Sequence, residues 1–291
     1  MALPLDFALE GFRILRARPK LIAFWGAVSL FGYGVCVLIA VAIIGPSQPA
    51  FIAFSHAPTD TVQAGFLTQK IMTALIACAP VYVITSAVLN CAVCRAVLDS
   101  GSDRLGYLRF GLREIQVGVV LGVTIALQMA AFILVAGLWV SIRLGDNFNV
   151  LGMFIAAGAS LWLRVKLSLN TVQSFATRRM DIFSSFALTR DQFASLLAGY
   201  IVAFGLAMTV TYLSEEVVNG VLAAVFSIKQ GGLTLDVSSL SAFLTAPRVT
   251  ALVLILAGVW PQTIAILFGA PAAAYTILNG SAKTAPVQSL L

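Results

Sequence analysis

From Leu21 to Ile44 the chain carries no charged residue. A run of that length crosses roughly 30 Å of hydrocarbon as a helix, and nothing else in a sequence narrows the choice of fold so sharply. Comparable runs recur at about 71–98, 115–142, 148–169, 193–213 and 249–278. Composition agrees. Only 10% of the 291 residues are charged, 60% are apolar and the mean hydropathy is +0.98, whereas a soluble domain carries about 25% charged residues. The expected fold is all-α, a single polytopic membrane domain over 1–291 with six transmembrane helices. The apolar run at 21–44 exceeds the roughly 7–15 residues of a signal-peptide core and lacks a cleavage pattern, so it is read as a mature span.

The stretches between spans are not ordinary loops. Residues 1–20 read as a short amphipathic helix, with Leu5, Leu9 and Phe12 on one side and Arg13, Arg16, Arg18 and Lys20 loading its end. Residues 103–114 repeat the theme: Leu105, Leu108, Leu112 and Ile115 share a helical face beside Arg109 and Arg113. An N-capped turn over Asp99–Asp103 precedes it. In the third stretch, 174–190, helical geometry puts Phe175, Ile182, Phe186 and Phe193 in one stripe flanked by Arg178, Arg179 and Arg190. Apolar residues inward and arginine at the rim are what a helix lying in a bilayer interface requires. Phe7-Ala8-Leu9, Phe110-Gly111-Leu112 and Phe186-Ala187-Leu188 each precede an odd-numbered span. The expected unit is an interfacial helix followed by a two-span hairpin, used three times.

Six crossings put both termini on one side. Fourteen of the eighteen Lys and Arg residues fall on that side, and only Lys70, Arg143, Lys229 and Arg248 on the other. The positive-inside rule then predicts a bacterial inner-membrane protein with cytoplasmic termini and three cytoplasmic interfacial helices. These basic residues are parcelled between apolar spans, so the net charge of +6 is no nucleic-acid patch. Each Lys or Arg close to an anionic leaflet contributes about 1 kcal/mol. Arg13, Arg16, Arg109, Arg113, Arg178, Arg179 and Arg190, with Arg164 and Lys166 at the end of span four, are therefore the expected contacts for anionic lipid headgroups or a partner. That partner would be a membrane-protein complex or a second copy of the chain.

Helix breakers and small residues mark packing. Pro80 and Pro261 fall inside spans, where neighbouring helices accommodate the defect. Gly118 and Gly122, and Gly152, Ala156 and Ser160, recur every four residues and predict close helix contact. Gln128, Asn90 and Gln262 are explained by interhelical hydrogen bonds.

Catalytic chemistry needs a nucleophile, an acid–base pair or a metal within mutual reach. His56 is the only histidine and falls in a stretch read as a loop. Cys91 and Cys94 form a CxxC, but within an apolar run they read as small buried hydrophobes. No phosphate loop or zincin helix appears. Glu215 and Glu216 are the one acidic pair that could serve as a proton or ion site. Adjacent helical positions diverge by about 100°, so at most one faces a bundle interior, and the simpler reading puts both in headgroup water beyond span five. No cofactor, metal or enzymatic activity is expected.

The segment from Leu163 through Leu197, centred on Phe186-Ala187-Leu188-Thr189-Arg190, resembles the membrane domain that precedes the catalytic domain in some bacterial glycerophosphodiester phosphodiesterases. It also resembles stand-alone six-span relatives of alphaproteobacterial type. Asn90–Arg95 and Arg104–Arg109 resemble the first half of such proteins. Phe186 stands where the family often has Trp, and Asp191 where it has Gly. The catalytic barrel's acids, histidines and metal ligands have no counterpart in these residues. The resemblance thus implies a membrane module and transfers no catalytic residue. Two functions follow as expectations: a non-enzymatic scaffold or accessory protein, or a transporter or channel for a small or lipid-like solute.

Overall fold

A computed structural model describes residues 5–56, 61–98, 104–141, 146–180, 182–226 and 238–284. All regular structure among them is helical, and six helical stretches are long and apolar enough to cross a membrane. The protein is a multi-pass membrane protein. A 3₁₀ turn, Leu5–Leu9, leads into α1 (Glu10–Ala17), and α2 (Lys20–Ile44) follows directly. Beyond a second 3₁₀ turn, α3 (Gln48–His56) precedes α4 (Thr61–Val97). α5 (Leu112–Ser141) and α6 (Asp146–Lys166) form the middle hairpin. Two short helices, α7 (Asn170–Thr177) and α8 (Ser185–Thr189), connect it to α9 (Phe193–Phe226). α10 (Leu240–Phe243), α11 (Ala246–Val253), a π-helical turn at Leu254–Val259 and α12 (Trp260–Thr284) complete the chain. The turn expected at Asp99–Asp103 and the residues around Lys229 lie outside the described residues.

Packing follows the small residues. α2 lies along α4, where Gly32 leaves no room for a β-carbon beside Thr85. α5 packs on α4 through Gly118, whose hypothetical β-carbon would sit 3.4 Å from the Ala87 Cβ. Gly122 faces Val83 one turn on. Gly152 in α6 accepts the Trp139 indole from α5. Ahead of α12 the π-helical turn ends at Val259, two residues before Pro261. Proline has no N–H to offer the carbonyl four residues back, and that carbonyl, Ala257, lies against Gly26 of α2. Asn90 and Gln262 each make a bond within their own helix. Asn90 Oδ1 accepts from the Cys94 thiol at 3.3 Å, and Gln262 Nε2 donates to the Gly258 carbonyl at 3.0 Å.

The linkers differ from expectation. Residues 1–20 do carry a helix, but it docks into the bundle rather than lying only along an interface. Phe7, Ala8, Gly11, Ile14 and Leu15 are buried, while the expected apolar stripe of Leu5, Leu9 and Phe12 is exposed. The helix expected over 103–114 does not form. Leu105, Gly106 and Tyr107 have φ of 56°, 64° and 62°, a left-handed turn, and α5 starts only at Leu112. The cause is tertiary. Trp25 Nε1 donates to the Gly106 carbonyl at 2.8 Å and Arg95 Nη1 to the Tyr107 carbonyl at 2.9 Å. Both carbonyls are thereby taken from the helical ladder they would otherwise enter. The third expected helix, 174–190, is broken as well. Arg178 is left-handed, with φ 58°, and ends α7, so Phe175 and Phe186 belong to separate helices. Finally, α9 runs through Glu215 and Glu216 to Phe226 instead of stopping near Leu213.

Candidate lipid or partner interface at the basic end

One end of the bundle gathers the start of α2, the end of α4, the start of α5 and the end of α6. Its framework is a buried ion pair. Arg95, in the last turn of α4, is 5% exposed, and Glu114, in the first turn of α5, is 3% exposed. Arg95 Nη2 bonds Glu114 Oε1 while Nη1 holds the Tyr107 carbonyl. The guanidinium groups of Arg95 and Arg113 stand 5.5 and 5.6 Å from the Phe175 ring centre, which ties α7 to the same node by cation–π attraction. Arg18 bonds the Tyr107 hydroxyl and lies 5.5 Å from that ring. A buried charge is tolerated only when paired and hydrogen-bonded, and here both conditions are met.

A second lock explains the Phe186–Arg190 motif. The last carbonyls of a helix have no partner within it. The Lys166 carbonyl at the end of α6 accepts from Ser185 Oγ at 2.9 Å and Thr189 Oγ1 at 3.4 Å, both hydroxyls of α8. Lys166 Nζ returns a bond to the Thr189 carbonyl at 3.3 Å and lies 5.5 Å from the Phe193 ring centre. Tyr200 Oη donates to Ser168 Oγ at 2.7 Å, so α9 joins the same junction. Thus α8 caps α6 from outside its own sequence, and Arg190 is exposed.

The basic residues singled out by the sequence divide clearly. Arg13, Arg16, Arg109, Arg164, Arg178, Arg179 and Arg190 are exposed, and Arg113 and Lys166 are half-buried. Arg13 forms one exposed ion pair, with Glu10 at 3.2 Å. Large apolar side chains stand exposed beside them in the chain. Phe12 adjoins Arg13, Phe110 (73% exposed) adjoins Arg109, and Phe183 (61%) follows Arg178 and Arg179. Glu215 and Glu216 are both exposed on α9, and neither is enclosed by the bundle. Arg95 and Glu114 were legible only as charges flanking a linker; their opposite signs, at the end of one span and the start of the next, were the available signal of a pair.

No protein-family model, no curated protein and no solved structure matches this chain.

Proposed function

We propose that the protein is a non-enzymatic scaffold or accessory module of the bacterial inner membrane, with both termini cytoplasmic. Its basic end engages anionic lipid headgroups or docks a partner membrane complex. One observation carries this reading. The arginine needed for the fold, Arg95, is buried and paired, whereas seven of the nine residues expected at the interface are exposed, and Arg13, Arg109, Arg178 and Arg179 each have an exposed Phe close by in the chain. Arginine with an exposed aromatic neighbour suits a surface that is anionic above and apolar below. The resemblance to the membrane domain of glycerophosphodiester phosphodiesterases is in keeping with a module that works beside lipid.

The test is the lipid shell. Protein extracted in native membrane patches is expected to be enriched in anionic lipid over the bulk membrane. The enrichment should fall in a triple Arg178→Gln, Arg179→Gln, Arg190→Gln variant. A lipid shell identical to bulk in the wild type would remove the headgroup reading.

A transporter for a small or lipid-like solute is the second reading, favoured by the π-helical turn that interrupts the last span ahead of Pro261. Solute flux into liposomes that is lost on Pro261→Ala would turn the interpretation toward it.

A further inference from the structure

Cys36 of α2 and Cys78 of α4 face one another where these two helices pack. Cys36 Sγ lies 3.7 Å from the Cys78 carbonyl oxygen, and Cys78 Sγ lies 3.3 Å from the Cys36 carbonyl oxygen. Reciprocal contacts of this kind require the two backbones to be level and close. Gly32, one turn earlier in α2, lets the helices approach at Thr85. Both thiols are free and half-buried. Cys91 and Cys94, in contrast, are fully buried near the basic end, with the Cys94 thiol held by Asn90.

Depth gives the pair access to reagents. At 1.5 Å per residue, Cys36 lies about 24 Å along α2 from Lys20, and Cys78 about 25 Å along α4 from Arg95. In a hydrocarbon layer of roughly 30 Å, both thiols therefore lie near the boundary opposite the basic end. Lys70, with its ammonium 5.5 Å from the Phe66 ring centre, stands about two turns further out on α4.

We propose that Cys36 and Cys78 form a reversible disulfide that staples α2 to α4 away from the basic end. The oxidant is a small disulfide or the disulfide of a redox partner on that side. The thiolate of one cysteine attacks the oxidant's S–S bond and releases one thiol as leaving group. The second cysteine then attacks the resulting mixed disulfide, forming the Cys36–Cys78 bond and releasing the other thiol. Two protein thiols are oxidised, one disulfide is reduced to two thiols, and the two protons pass to the leaving thiolates. This inference concerns the end of the bundle opposite the lipid interface and stands independently of it.

The full-length protein in native membranes is treated with dithiodipyridine, quenched with N-ethylmaleimide under denaturing conditions and digested without reductant. The expected product is a Cys36 peptide joined to a Cys78 peptide, with alkylatable thiols falling from four to two and returning to four after dithiothreitol. In Cys36→Ser, Cys78 should instead carry the thiopyridine adduct alone. Recovery of wild-type Cys36 and Cys78 as separate thiopyridine adducts would show that they cannot reach one another and would overturn the proposal. So would recovery of both as maleimide adducts, which would show that no oxidant reaches them.

Discussion

Gly11 of α1 and Gly269 of α12 meet backbone to backbone: a β-carbon on Gly269 would lie 2.6 Å from the Gly11 Cα. One on Gly11 would overlap the Ala265 carbonyl. Neither neighbour is a flexible side-chain end, so the helices themselves must separate to admit a methyl group. Gly11→Ala and Gly269→Ala are each expected to cost about 1–3 kcal/mol, the range for overpacking a close contact. A lowered thermal midpoint in detergent, followed by monodispersity on size exclusion, checks this. An unchanged midpoint for both would mean that α1 is not docked.

The Arg95–Glu114 pair makes a prediction about non-additivity. Glu114→Gln or Arg95→Met alone leaves a buried partner uncompensated, and breaking such a pair costs about 3–5 kcal/mol. The double variant Arg95→Met, Glu114→Leu removes both charges and is expected to be more stable than either single variant. A thermodynamic cycle on the four proteins measures the coupling, and simple additivity of the two single losses would count against the pair.

The capping of α6 by α8 is testable by removing hydroxyls. Ser185→Ala and Thr189→Val should each destabilise by about 1 kcal/mol, the usual net value of a hydrogen bond, and together should expose the Lys166 carbonyl. Trypsin is the readout. Cleavage at Arg178, Arg179 and Arg190 should accelerate in the double variant, because α8 no longer holds to α6. Equal cleavage rates in wild type and variant would argue that α8 is anchored by other contacts.

Sidedness is checked separately. With the native cysteines replaced by serine, single cysteines at Arg109 and Arg190 are expected to resist an impermeant maleimide added to intact cells and to react once the cells are opened. Labelling of either in intact cells would reverse the assigned orientation.

The spans were legible because a long uncharged stretch has few alternatives. Gly118 and Gly122 announced their packing on α4 because small residues at every fourth position matter only where helices touch. The linkers were less legible. Leu105, Leu108, Leu112 and Ile115 satisfy a helical period, yet Gly106 and Tyr107 turn left-handed because Trp25 and Arg95, distant in sequence, claim their carbonyls. Periodicity records which residues are apolar and carries no information about a donor arriving from another helix. The motif around Thr189 drew attention for its arginine, while its hydroxyls do the capping. Cys36 and Cys78, 42 positions apart, fit no spacing rule at all. Their meeting is a property of how α2 lies on α4.

The placement of Phe7 has a bearing on how the protein is made. Its ring fills the space above Gly199, where a β-carbon would collide with it, and stands edge-on to Tyr200 at 6.0 Å. The seats for Phe7 and Gly11 are thus built from α9 and α12, which leave the ribosome long after α1 does. The segment around Phe7 and Gly11 must wait undocked until α12 is in place. The nascent chain closes like a clasp, α1 locked by α12.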